Sequence, residues 1–93
     1  MNMVPIEIKP TLSNCIETLS KKEYERTLNL LLKNGGLDEE LGERLEVLRL
    51  FLESADFGYL RSQYEGYLIE GREVIFLIYM GEGGVSYKMV VEG

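Results

Sequence analysis

A chain of 93 residues makes one domain, residues 1–93, and leaves no length for a second. A hydrophobic content of 45% with 28% charged residues lies in the ordinary globular range and excludes an intrinsically disordered chain. Sixteen acids against ten bases give a net charge of −6, the wrong sign for gripping a phosphate backbone, so nucleic acid is not expected as a partner.

Val4, Ile6 and Ile8 alternate with Pro5, Glu7 and Lys9, the period-two pattern of a half-buried strand, and Pro5 and Pro10 restrict it to an edge or to a short length. Leu12, Cys15, Ile16 and Leu19 then fall on one face of a helix over residues 12–19. The stripe loses phase at "SKKE", where Ser20 and Glu23 have the spacing of a capping box, which predicts a fresh helix from about Lys21. Tyr24, Leu28, Leu31 and Leu32 line that helix, and Gly35 with Gly36 ends it, since glycine enters the left-handed conformation of a C-terminal cap without steric cost.

Asp38 opens the next helix, with Glu39 and Glu40 in the first turn, where negative charge meets the positive end of the helix dipole. Its apolar row is Leu41, Leu45, Leu48 and Leu52, widened by Val47, Phe51 and Ala55, and Leu50 falls outside it. After "SAD" a further helix places Phe57, Leu60, Tyr64, Tyr67 and Leu68 on one side and closes at Gly71.

The last stretch, "REVIFLIYMGEGGVSYKMVVEG", is a β-hairpin turning at the glycine-rich Gly81–Gly84. Pairing Met80 with Val85 sets Ile78 opposite Tyr87, Phe76 opposite Met89 and Val74 opposite Val91. Every one of those side chains is apolar, and a slip by one residue would destroy the agreement. The predicted fold is therefore α+β: three or four helices packed on one face of a small antiparallel sheet of two or three strands, with the hairpin at the C-terminus.

The first strand of the hairpin is apolar at every position from Val74 to Met80, so it also presents Ile75, Leu77 and Tyr79 to the opposite face, with Val90 beside them. Ser86, Lys88, Glu7 and Lys9 form polar margins to that row, and an apolar centre inside a polar rim is the anatomy of a modest protein interface. Full burial of these four side chains in each of two copies would gain about 12–24 kcal/mol gross. Association costs about 4–15 kcal/mol. The competing reading leaves the row covered within one chain, by lysine stems or by a helix that crosses to this side.

The chain contains no histidine, which removes the side chain best suited to proton transfer near neutral pH and the commonest transition-metal ligand. No metal site or cofactor is expected. Asp38, Glu39, Glu40 and Glu43 lack the spacing of a calcium loop, and "GEGG" joins two strands instead of leading into a helix N-terminus, so it reads as a plain turn. Cys15 sits on an apolar stripe and reads as core packing. Tyr59, Arg61 and Arg72 are candidates for a polar binding edge, tyrosine and arginine being favoured in interfaces.

A single cysteine forms no internal disulfide, and no segment approaches the length of a membrane span, so the expected setting is the cytoplasm. From Leu37 to Glu73 there are ten acids and four bases, so the middle of the chain supplies the whole imbalance (−6, against +1 before it and −1 after). That acidic helical surface reads as a solvated face. The residues thus point to a non-enzymatic protein-interaction or regulatory domain, self-associating as a homodimer through Ile75, Leu77, Tyr79 and Val90 or meeting another protein there. The alternative is a small-ligand-binding domain or enzyme with a pocket between helices and sheet.

Overall fold

A computed structural model describes residues 4–93, leaving the first three residues of the N-terminal stretch outside the described residues. The element order is β1 (Ile6–Ile8), α1 (Ile16–Lys33), α2 (Glu39–Ser54), α3 (Phe57–Ile69), β2 (Glu73–Gly81) and β3 (Gly84–Glu92). The strands form one antiparallel sheet in the order β1-β2-β3, with the helices on one of its faces, an α+β arrangement. Among the described residues no helix is long and apolar enough to cross a membrane.

The hairpin register is the one that the apolar ladder predicts: Met80 pairs with Val85, Ile78 with Tyr87, Phe76 with Met89 and Val74 with Val91. Glu82 and Gly83 make the turn, and Gly84 leaves it at φ 123°, a backbone angle that side-chain-bearing residues rarely adopt. β1 is the short edge strand, pairing Ile6 with Ile78 and Ile8 with Phe76, which places both isoleucines on the core side. The core consists of Ile6, Ile8, Ile16, Val47, Leu48, Phe51, Leu60, Tyr64, Val74, Phe76 and Ile78. Edge-to-face aromatic contacts tie its layers together, Tyr64 of α3 meeting Phe76 of β2 at 5.7 Å, and Phe51 of α2 meeting Tyr87 of β3 at 6.5 Å.

The helix boundaries follow from local chemistry at most ends. Asp38 accepts the Leu41 amide at 3.0 Å and Asp56 accepts the Tyr59 amide at 3.0 Å, each satisfying an otherwise unpaired donor of the first turn. α1 closes in a Schellman motif, with the Gly36 amide on the Leu31 carbonyl and the Gly35 amide on that of Leu32, both glycines having φ near 75° (75° and 76°). Asp38 thereby stands as the cap of α2 and Glu39 and Glu40 as its first-turn charge, with Glu43 in the following turn.

Two expectations are corrected. The helix over residues 12–19 and the fresh start near Lys21 do not exist as separate elements: α1 runs unbroken from Ile16 to Lys33, and Leu12 lies before it, 61% exposed. The apparent break arose because the inward face includes two small polar residues. Ile16, Ser20, Tyr24, Thr27 and Leu31 make an uninterrupted i, i+4, i+8, i+11, i+15 row, with Ser20 and Thr27 fully buried, so counting only apolar residues loses the phase. Glu23 does not cap the helix; it pairs with Arg26 on α1 and reaches Arg44 on α2 at 3.7 Å, and the Arg26 guanidinium holds its carboxyl below the usual carboxylate range.

Cys15 is the second correction. It is the half-buried residue capping α1, outside the core cluster, and its side chain makes no capping hydrogen bond. The first α1 amide, that of Ile16, instead donates to the hydroxyl of Tyr64 on α3 at 3.1 Å. A tyrosine 48 positions away thus does the work that a local serine or aspartate does at the other helices.

Candidate functional site

Because successive strand residues project to opposite faces, burying Val74, Phe76 and Ile78 under the helices turns Ile75, Leu77 and Tyr79 outward. Val90 pairs with Ile75, Lys88 with Leu77 and Ser86 with Tyr79, so these join the outward face from β3. On the other side of β2, Glu7 pairs with Leu77. The face is therefore an apolar row of Ile75, Leu77, Tyr79 and Val90 between margins occupied by Glu7 on β1 and by Ser86 and Lys88 on β3. None of the four apolar residues belongs to the core cluster or to the hydrophobic residues packed against it.

All four are half-buried, however. The area still open to a partner is much smaller than full exposure implies. At most about a third of each side chain is still open, so eight side chains from two copies yield no more than about 4–8 kcal/mol gross, where full burial would give about 12–24. The face can carry a weak, reversible contact and has little to spare beyond it.

Tyr59, Arg61 and Arg72 do not converge. Tyr59, 57% exposed near the start of α3, accepts a hydrogen bond from Gln63 Nε2 at 3.2 Å, and its ring borders a depression beside Ala55, Val85 and Tyr87. Arg61, two residues on and so on another side of the helix, pairs with Glu65 at 2.8 Å and faces Cys15 and Thr18. Arg72 lies beyond the far end of α3, its guanidinium 5.2 Å above the Tyr67 ring and its Nε buried without a protein partner. It borders a shallow groove of about 610 Å³ with Lys9, Pro10, Leu12, Leu68 and Val74.

The thiol of Cys15 lies 3.3 Å from Thr18 Oγ1, and that hydroxyl, followed by the main-chain amide of Thr18, lowers its pKa. It stands at the polar start of α1. The interior between helices and sheet is filled by Phe51, Tyr64, Phe76 and their neighbours, and the depressions lie around the periphery.

Residues 1–92 match the model of an uncharacterised protein family, and the chain belongs to that family. It is similar to an uncharacterized protein of Archaeoglobus fulgidus, with 48% identity over 52 residues, a stretch covering 54% of this chain and 61% of the relative. The chain thus spans about three fifths (61%) of that relative's length. No solved structure matches.

Proposed function

We propose that this family member is a non-enzymatic protein-interaction or regulatory domain that self-associates through the open face of its sheet, with Ile75, Leu77, Tyr79 and Val90 at the centre of the contact. The observation that carries the reading is the one-sided packing: the helices share one face of the sheet, and among the described residues no helix or strand covers the contiguous apolar row on the other. With at most about 4–8 kcal/mol gross available against an association cost of about 4–15 kcal/mol, the dimer forms only with help from its polar rim and is weak, with a Kd of roughly millimolar order. The proposed setting is a reducing cytoplasm, on the strength of a lone cysteine.

Sedimentation equilibrium tests the reading. At hundreds of micromolar to about millimolar protein, the range where such weak contacts populate, the wild-type chain shows a monomer–dimer equilibrium. Leu77→Asp, which places a charge in the middle of the row, shifts it to monomer, while Leu37→Asp in the exposed α1–α2 loop leaves it alone. A wild-type chain that stays monomeric throughout and is unmoved by Leu77→Asp removes the homodimer.

A second reading draws on Arg72. An arginine stacked on Tyr67 with a buried, unpartnered Nε at the edge of a groove offers a donor to a small acidic ligand. A thermal-shift screen against carboxylates and phosphates, with Arg72→Met as the control, separates this from the interaction module.

A further inference from the structure

The Arg72 side chain is fixed by its own surroundings. Gly71 turns the chain at the end of α3 with φ 85°, the Arg72 amide bonds the Tyr67 carbonyl at 3.0 Å, and the guanidinium lies 5.2 Å above the ring of the same tyrosine. Acids outnumber bases sixteen to ten in this chain, yet no carboxylate among the described residues pairs with Arg72. Its Nε is out of water without an acceptor. A half-buried positive charge is thus left uncompensated, and an anion beside the guanidinium offsets that cost even where it bonds only the terminal nitrogens.

The groove beside Arg72 adds an apolar wall. It lies between the β1–α1 connection and the α3–β2 turn, and its volume of about 610 Å³ falls in the range of small-molecule sites, about 300–1,000 Å³. Leu12 and Leu68 line it. Leu12 is 61% exposed for a local reason: the Thr11 amide bonds the Asn14 carbonyl at 2.9 Å and the Asn14 amide bonds Thr11 Oγ1 at 3.0 Å, a closed turn that holds Leu12 outside the core. The charged residues on the groove are Lys9, Arg72 and Glu73, two cations and one anion, for a net charge of +1. Lys9 also lies 3.6 Å from Glu7, in a pair more than half exposed on both sides. A single negative charge balances this set, whereas a phosphate, with nearly two, is repelled by Glu73. The planar fork of an arginine matches the two oxygens of a carboxylate.

We infer that this groove binds a small monocarboxylic acid with an aliphatic tail, its carboxylate on the Arg72 guanidinium and its tail along Leu12 and Leu68. The inference rests on the Arg72 reading given above and adds the ligand class: one negative charge at the head, apolar contact from the tail, and no second acidic group.

A heteronuclear NMR titration of the full chain with acetate, butyrate, hexanoate, hexanol and inorganic phosphate tests it, the amides of Leu12, Leu68 and Arg72 marking the site. Hexanoate binds about fourfold to fifteenfold tighter than butyrate, since each of the two added methylenes contributes about twofold to fourfold as it leaves water. Hexanol, which lacks the charge, and phosphate, which lacks the tail, each bind about tenfold or more weakly than hexanoate. Arg72→Met, which keeps an apolar stem over Tyr67, loses hexanoate by about tenfold or more. Leu12→Ser, in the exposed turn, levels the series from acetate to hexanoate and leaves acetate binding unchanged. Thermal melts show whether Arg72→Met is folded; where it is not, the wild-type series and Leu12→Ser decide. Acetate or phosphate bound as tightly as hexanoate overturns the tailed acid and keeps the anion site at Arg72. An acetylated tripeptide ending in leucine that binds tighter than hexanoate overturns the free acid in favour of a chain end. Hexanol as tight as hexanoate, or no shift from any anion up to about 50 mM, overturns the anion site as well.

Discussion

Replacing Tyr64 with phenylalanine deletes one oxygen from the core and tests how α1 begins. The ring is 2% exposed and meets Phe76 edge-on at 5.7 Å, so its packing survives the change. What is lost is the acceptor for the Ile16 amide at 3.1 Å, and Cys15 offers no side-chain hydrogen bond to replace it. A buried donor left unpaired costs about 1–3 kcal/mol, against the few tenths that an exposed hydroxyl contributes. For a domain of this length each kcal/mol lowers Tm by about 4–8 °C. Urea unfolding followed by far-ultraviolet circular dichroism reads the effect as a lower midpoint at unchanged slope. Hydrogen exchange at Ile16 accelerates in parallel. Tyr59→Phe, at a tyrosine 57% exposed, is the control and stays within about 0.5 kcal/mol of wild type. If the two variants are equally stable, Tyr64 does not hold the start of α1 and the reasoning fails.

Ser20→Ala should stabilise the protein: the hydroxyl is fully buried in the second turn of α1 with no partner, so its removal relieves roughly 1 kcal/mol of desolvation and gains about 0.5 kcal/mol of helix propensity. A lower Tm for this variant would mean that the hydroxyl is bonded after all. Burial raises the pKa of Tyr64 above the ordinary phenol value, so the folded chain keeps a proton that the unfolded chain releases. Its contribution to stability is complete below the unfolded tyrosine pKa of about 10 and declines as pH rises from there through the higher folded value. Urea midpoints from about pH 9 to pH 11 should fall more steeply for the wild type than for Tyr64→Phe, and parallel slopes would refute the assignment.

The hairpin was legible because its information is local and redundant: four successive cross-strand pairs agree on one register, and any slip disturbs all of them. The starts and stops carried by Asp38, Gly35, Gly36 and Gly71 were legible for the same reason, each acting through atoms within a turn of itself. α1 was misjudged where tertiary context overrides residue type, because the small side chains of Ser20 and Thr27 occupy the buried row despite their polarity. Its cap on Tyr64 was beyond reach, since nothing in the neighbourhood of Ile16 names a partner 48 residues on. The grouping of Tyr59, Arg61 and Arg72 failed for a geometric reason. At 100° per residue, positions two apart point away from each other, and Arg72 follows the turn after α3. Alternation alone turns Ile75, Leu77 and Tyr79 to the open face, but their half-burial is not legible in the sequence, and it cuts the energy available to a partner to about a third or less of the full-burial figure.

That correction raises the question of why the sheet face should be preferred to the more exposed leucines of the α1–α2 end. Leu32 is 65% and Leu37 87% exposed, far more than any residue of the row. Exposure of single side chains is ordinary on protein surfaces, however, and a binding patch needs contiguity. Leu30 and Leu32 are two positions apart on a helix and so look in different directions, while Leu37 lies in the connecting loop beside the acidic start of α2. Ile75, Leu77 and Tyr79 are instead consecutive on one side of one strand, held in register by Val90, Lys88 and Ser86. A flat, rigid row of this kind gives up little conformational freedom on contact, so a modest apolar gain is not consumed in ordering side chains. Leu77→Asp, in the middle of that row, is therefore the sharper experiment than a substitution at any one of the exposed leucines.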